Sequence, residues 1–316
     1  MDGIGSSILW RAKATKIDVM LDAQAKSTDT KGMNRLPFKK RRQILHLLVE
    51  GAGINAAARL TGASKMTVLR YLELAGQACM EHHDKAVRGV KAQRVECDEI
   101  WSFNYCKRAN LPKAKAAPEG AGDVWTWTAL DADSKLVVSY LIGGRHAEAA
   151  QDFMHDVAER LANRVQLTTD GHKVYLGAVL GAFGLDVDYA MLVKHYGPTI
   201  DAVGPERKYS PGECCGISKH RMLGQPIKGL VSTSYVEKHN QTMRQHMRRF
   251  TRLTNGHSKK IDNHVHMVAL YTTWYNFARI NSAVRMSPAM AARLEARLWD
   301  VGDIVKLVEE WEADAI

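Results

Sequence analysis

The sequence predicts an α/β fold, a mixed sheet flanked by helices, preceded by a small all-α helix-turn-helix unit. Three observations predict it. Apolar residues recur at helical spacing from Pro37 to about Leu74, and the period switches to strand-like alternation near Arg94. From there, three strands, a helix, a strand, a helix and a strand follow in turn, the interleaving of a sheet with helices packed on it.

Residues 1–32 have mixed polarity, weak periodicity and no turn chemistry, so a mobile tail is expected, with Met33 a candidate true start. FKKRRQILHLLVEG places Ile44, Leu47 and Leu48 on one helical face and stops at Gly51. INAAARLTGASKMTVLRYLELAG reads as a short helix from about Asn55 to Leu60, a turn at Gly62 and a second helix from about Ser64 to Leu74. Small alanines allow close packing and Gly62 allows a positive φ. Lys65, Thr67 and Arg70 point outward from the second helix and are the candidate DNA-reading residues, although a plain three-helix bundle has the same apolar pattern. The predicted organisation is a DNA-binding domain over 33–76, a linker over 77–92, an α/β domain over 93–285 and C-terminal helices over 286–316.

RVECDEIWSFNY is a strand bearing Asp98 and Glu99 on opposite faces. Residues 106–123 form a basic, Pro- and Gly-containing loop, and VWTWTALD and KLVVSYLIG form a hairpin turning at 132–134. RHAEAAQDFMHDVAERLA is an amphipathic helix, VQLTTDG a strand ending on Asp170, KVYLGAVLGAFG a helix and VDYAMLVKH a buried strand. Residues 196–230 read as irregular. KIDNHVHMVALYTTWYNFARIN is apolar on two faces and must be well buried. SPAMAARLEARLW reads as a helix with Ser287 as N-cap and Pro288 in its first turn.

About a quarter of the 316 residues are charged, and no apolar run approaches the roughly 18 residues of a membrane span. Nothing in the N-terminus resembles a secretory signal, and five cysteines without a repeated C-x-x-C encode neither a disulfide framework nor a zinc cassette, so a cytoplasmic protein is expected. The net charge of +10 is concentrated. Asn34 to Ala75 holds eight Lys or Arg against two Glu, and Glu237 to Lys260 holds seven against one. Two local excesses of this kind suit a polyanion, because each cation that meets a phosphate releases a counterion.

Three acids stand apart. Asp98 lies within a strand, Asp170 at a strand end, and Glu237 heads an otherwise cationic helix, SYVEKHNQTMRQHMRRF. At about 100° per residue, Glu237, Asn240 and Arg244 fall within roughly 60° of one another, with Lys238, Arg248, Arg249 and Arg252 on the other side. Glu237 therefore sits on the border between core and basic surface. His239, on a polar face, reads as solvated.

VECDEIWSF, WTWTALD, TTDGH and YVEKHNQTMRQHMRRFTR together resemble the DDE transposases, and more closely the insertion-sequence-one family of bacterial transposases, over about residues 34–300. The resemblance implies a ribonuclease-H-like catalytic fold and a triad of Asp98, Asp170 and Glu237, with Arg244 as the downstream basic residue. It further implies that the triad holds two Mg²⁺ ions roughly 3.5 to 4 Å apart, with Mn²⁺ as a substitute, for in-line phosphoryl transfer, and that Asp98 bridges both. Glu99 is the rival for the first position. Double-stranded DNA, as element ends and target, is the implied partner, bound by a homodimer or larger assembly. The chain departs from the family in having no Cys before Cys79, where family members carry a cysteine-rich zinc-binding segment, and in its long 106–123 loop. Two other readings fit the residues: a helix-turn-helix regulator with an inert α/β domain, and a metal-dependent nuclease that cuts without joining.

Overall fold

A computed structural model describes residues 10–11, 35–197, 213–251 and 254–314; apart from Trp10 and Arg11, the expected tail lies outside them, as do Met33 and Arg252. Seven strands form one sheet: β1 (Trp10–Arg11), β2 (Arg94–Asn104), β3 (Gly122–Asp131), β4 (Val137–Gly143), β5 (Gln166–Asp170), β6 (Asp188–Tyr196) and β7 (Cys214–Leu223), in the order β1-β4-β3-β2-β5-β6-β7. β2, β3 and β4 are an antiparallel meander, β5 and β6 run parallel to β2, and β7 returns antiparallel. This mixed sheet with flanking helices is consistent with a ribonuclease-H-like fold. The β3–β4 hairpin turns where AlaAspSer predicts it, with Asp131 accepting from the Asp133 and Ser134 amides.

β7 falls inside the stretch read as irregular. The strand shows no consistent apolar alternation and seven of its ten residues are exposed, because its place is set by the free edge of β6 rather than by a buried face of its own. In the 106–123 loop, Arg108–Lys113 form a 3-10 turn.

The helices are α1 (Phe38–Val49), α2 (Ile54–Thr61), α3 (Lys65–Ala86), α4 (Ala147–Arg160), α5 (Val174–Phe183), α6 (Ser234–His246), α7 (Ile261–Thr273), α8 (Pro288–Ala291) and α9 (Val301–Asp314). The period-2 alternation of the strands divides two cores. Val95, Cys97, Trp127 and Ala129 face α4 and α5. Ile100, Val124, Leu130 and Tyr140 face the other way, into a cluster with Val236 and Met243 of α6, Val268 of α7, Leu72 of α3 and Val305 of α9. The same cluster takes in Ile44, Leu45 and Ala57, so α1 and α2 share this core.

Gly62 ends α2 at φ +65, and Ser64 caps α3 by accepting from the Thr67 amide at 3.1 Å, as the turn chemistry predicts. The linker expected from Gln77 is instead helical as far as Ala86. Gly76, which looks like a helix stop in the sequence, is a crossing point: a Cβ there would lie 2.3 Å from Cβ of His266 on α7. Ala78, Cys79, Met80 and His83 then continue the buried stripe of Val68, Leu72 and Ala75. In α7, every residue from His264 to Thr273 is buried, as its two apolar stripes require. The helix predicted over SPAMAARLEARLW keeps its Ser287 cap but stops at Ala291, with Arg293 at φ +60, so that Trp299 can pack on Phe277 and His82.

Arg160 ties the two layers together. Its fully buried guanidinium donates to both carboxylate oxygens of Asp156 (2.7 and 3.0 Å), to Asp84 Oδ1 (3.0 Å) and to the carbonyls of His83 and Val87 at the end of α3. Ser139 Oγ donates to Asp156 Oδ2 as well, at 2.6 Å. Arg160→Met strands Asp156 as an uncompensated buried acid and is expected to destabilise the fold by about 3–5 kcal/mol, read as a lowered urea midpoint at unchanged slope.

Candidate active site

Strand β2 positions the site by alternation. Glu96 and Asp98 share the face toward α6, while Cys97 and Glu99 face α4 and α5. Glu96 is 2% exposed, and one carboxylate oxygen accepts from the backbone amides of Tyr235 (2.8 Å) and Val236 (3.0 Å), two of the unpaired donors in the first turn of α6. Burial raises its pKa and these two amides pull it back. The bond seats the start of α6 on β2, so the next turns reach the next acid along the strand. Asn240 donates from Nδ2 to Asp98 Oδ2 at 2.8 Å, and Glu237 projects from the first turn beside it.

Asp170 arrives from β5. The parallel ladder of β2 and β5 ends at Cys97 and Thr169, which leaves Asp98 and Asp170 as neighbours one residue further along. Asp170 accepts from the His172 amide at 2.9 Å. Arg145, just after β4, reaches Glu99 (3.1 Å) and Asp170 (3.6 Å) and lies over the Trp125 ring. Glu237 pairs with Lys194 of β6 and accepts from Thr233 Oγ1 at 2.6 Å. Asp98, Asp170 and Glu237 line a single cleft of about 530 Å³, together with Arg145, Lys194 and His172.

The electrostatics of this cleft are those of a site short of positive charge. Burial, reinforced by the Asp170 carboxylate, pushes Asp98 up to about 7. Burial and Asp170 push Glu99 to about 7 as well, against the pull of Tyr175 and Arg145. One ligand atom from each of Asp98, Glu99 and Asp170 lies within 4.8 Å of the others. An all-oxygen, acidic donor set of this kind fits a hard divalent cation such as Mg²⁺. Glu237 stands outside that close group but on the same cleft. Glu99, the rival to Asp98 in the sequence, therefore approaches from the opposite face of the strand rather than replacing it.

Among the predicted DNA-binding residues, Lys65 and Arg70 of α3 and Arg248 after α6 are exposed. Thr67 is half-buried, its hydroxyl 2.8 Å from Ser64 Oγ in the helix cap. Arg244 is partly buried and donates to the Phe250 carbonyl at 3.2 Å. Arg249 corrects the sequence reading: its guanidinium donates to Ser258 Oγ (2.9 Å) and the Asn263 carbonyl, and burial lowers its pKa to about 9. It holds the segment after α6 in place and is not offered alongside Arg248. The break in helix at Met247 causes this, because it rotates Arg249 out of the helical phase on which it shares a face with Arg248. His239, read as solvated, is buried against Tyr271 and Tyr275, and burial lowers its pKa to about 3.

Asn240 stands on the Glu237 face, as the helical spacing places it, and three other residues of the site escaped the sequence. Glu96 carries a readable signal, since it sits two residues before Asp98 on the same strand face. Arg145 and Lys194 carry none, because only the strand order brings them to the cleft.

No protein-family model and no curated protein matches the chain. Among solved structures, a pre-cleavage Mos1 transpososome overlaps 59% of this chain and 69% of its own at 14% identity and a TM-score of 0.21. The Mos1 strand transfer complex overlaps 79% of this chain and 82% of its own at 13% identity and a TM-score of 0.22. Overlap at that level leaves the chemistry to the geometry of the cleft.

Because Asp98 and Glu99 hold protons in the folded state up to about pH 7 but lose them near pH 4 when unfolded, the folded state binds more protons in that interval. Stability without divalent ions is therefore expected to fall as pH rises from about 4 to about 7. Asp98→Asn should flatten that slope and, at pH 8, stabilise the fold by on the order of 1–3 kcal/mol after allowance for its partial exposure, as measured by thermal unfolding in chelator.

Proposed function

We propose that this chain is a DNA transposase that binds the ends of its mobile element and performs strand cleavage and strand transfer by in-line phosphoryl transfer. The observation that carries the reading is the convergence of Asp98, Asp170 and Glu237, from two strands and a helix far apart in sequence, on one cleft where burial and the Asp170 carboxylate hold Asp98 near pH 7. Asp98, Asp170 and Glu237 are the proposed catalytic and metal-holding residues. When bound, two Mg²⁺ or Mn²⁺ ions supply activation of a water or 3′-hydroxyl and stabilisation of the leaving oxygen.

The chain's own groups then have distinct tasks. Asn240 fixes the orientation of the Asp98 carboxylate, and Arg145 fixes Asp170 and Glu99. Lys194 neutralises Glu237 and offers an ammonium at the edge of the cleft where a phosphate enters. Residues 33–76 are proposed as the helix-turn-helix DNA-binding domain, with Lys65, Thr67 and Arg70 on the recognition helix α3, the body from 93 to 285 as the catalytic domain and 286–316 as its C-terminal helices. Arg244 and Arg248 contact the DNA backbone from the far end of α6. A homodimer or larger assembly, one cleft per element end, completes the proposal.

The test pairs cleavage with binding. Glu237→Gln and Asp170→Asn should each abolish Mg²⁺-dependent nicking of the element's end sequence while duplex affinity stays within about twofold of the parent; cleavage retained by both variants rules the triad out. Lys65→Ala and Arg70→Ala should instead weaken end binding, each lowering the salt-dependence slope by about 1. A chain that binds ends but never nicks them, with or without divalent ions, is a regulator.

A further inference from the structure

The β2–β3 ribbon extends beyond the cleft, and its two faces differ. Toward α7 it is buried: Ile100, Ser102 and Asn104 pack inward, with Ser102 Oγ 3.4 Å from His264 Nε2. On the opposite face, past Glu99, stand Trp101 and Phe103, with Trp125 directly across from Trp101 in the ladder. All three rings are half-buried rather than covered. Trp101 and Phe103 lie 5.6 Å apart by centroid, and His257 continues the row 4.6 Å beyond Phe103.

Cations interleave with these rings. Lys107 Nζ lies 5.7 Å above Trp101, and Arg145 lies 4.6 Å above Trp125. The adjoining loop presents Lys107, Arg108, Lys113 and Lys115, all exposed, against two acids, Glu119 and Asp123. Arg145 belongs to both features, since it also lines the cleft and touches Asp170. A row of ring faces rimmed by cations is chemically matched to a chain of alternating bases and phosphates, because every base has a π-face and every linkage a negative charge.

We propose that this strip is a stacking surface for the unpaired bases of a DNA strand, whose phosphates follow the loop cations to Arg145 and so into the cleft. The surface rests on the reading of the cleft as a DNA phosphoryl-transfer site and adds a preference that the acids alone do not provide: DNA opened or frayed beside the cut binds better there than intact duplex. The long 106–123 loop thereby acquires a task.

The experiment omits divalent ions and measures binding of a fluorescently labelled oligothymidylate to the full chain, beside a blunt duplex of the element end. Trp101→Ala should weaken oligothymidylate binding by roughly 5- to 100-fold and duplex binding by about twofold or less. Trp101→Phe should retain most of the affinity. In the parent chain oligothymidylate should quench tryptophan fluorescence, and the double variant Trp101→Phe, Trp125→Phe should bind without that quenching. Quenching that persists in the double variant, or equal loss on both DNAs in Trp101→Ala with none in Trp101→Phe, overturns the proposal. Cleavage plays no part in these readings. Stacking without any nicking activity therefore supports the surface while removing the phosphoryl-transfer reading, and nicking without stacking does the reverse.

Discussion

One buried carboxylate sets the geometry on which the cleft depends. Glu96 gives up water to accept two amides from the first turn of α6, a place where a helix end offers unpaired donors and a partial positive charge. Strand and helix have different repeats, about 3.3 Å per residue against 1.5 Å, so fixing one point between them fixes which later residues meet. From that point, two residues along β2 lead to Asp98, and one turn along α6 leads from Glu237 to Asn240. Sliding α6 by a residue rotates it by about 100° and turns Glu237 away from the cleft.

The site that results is less stable than the surrounding fold could make it. Asp98 and Glu99 are both held near pH 7 by burial and by Asp170, while Arg145 and Lys194 reach only part of the negative charge. Such groups are tolerated where a ligand supplies what the protein withholds. The contrast with Arg160 is instructive, since that buried cation meets two acids and two carbonyls and leaves nothing for a ligand to do.

The N-terminal helices are tied to the same body. Gly51 takes φ +85 and lets the Gln245 carbonyl at the end of α6 come within 2.8 Å of where a side chain would begin. His246 Nδ1 lies 3.0 Å from the Val49 carbonyl, and α3 crosses α7 at Gly76. The helix bearing Glu237 therefore contacts the sheet at one end and the helical unit bearing Lys65 and Arg70 at the other. In the proposed function, this continuity is what carries the position of a bound DNA end to the cleft.

Periodicity determined the strands and helices with apolar faces, and local chemistry determined their caps, since Gly62, Ser64 and Ser287 act through neighbours within three residues. Motif spacing marked Asp98, Asp170 and Glu237, because an acid on an apolar strand or at the head of a basic helix is conspicuous in one dimension. What the sequence missed had no local cause: β7 pairs because β6 has a free edge, α3 continues through Gly76 because α7 crosses there, and Arg249 turns inward because the helix breaks at Met247. Arg145 and Lys194 became part of the cleft only through the strand order. Short-range forces write themselves into neighbouring residues, whereas contacts between distant segments depend on how the layers pack, and only the tertiary structure decided those.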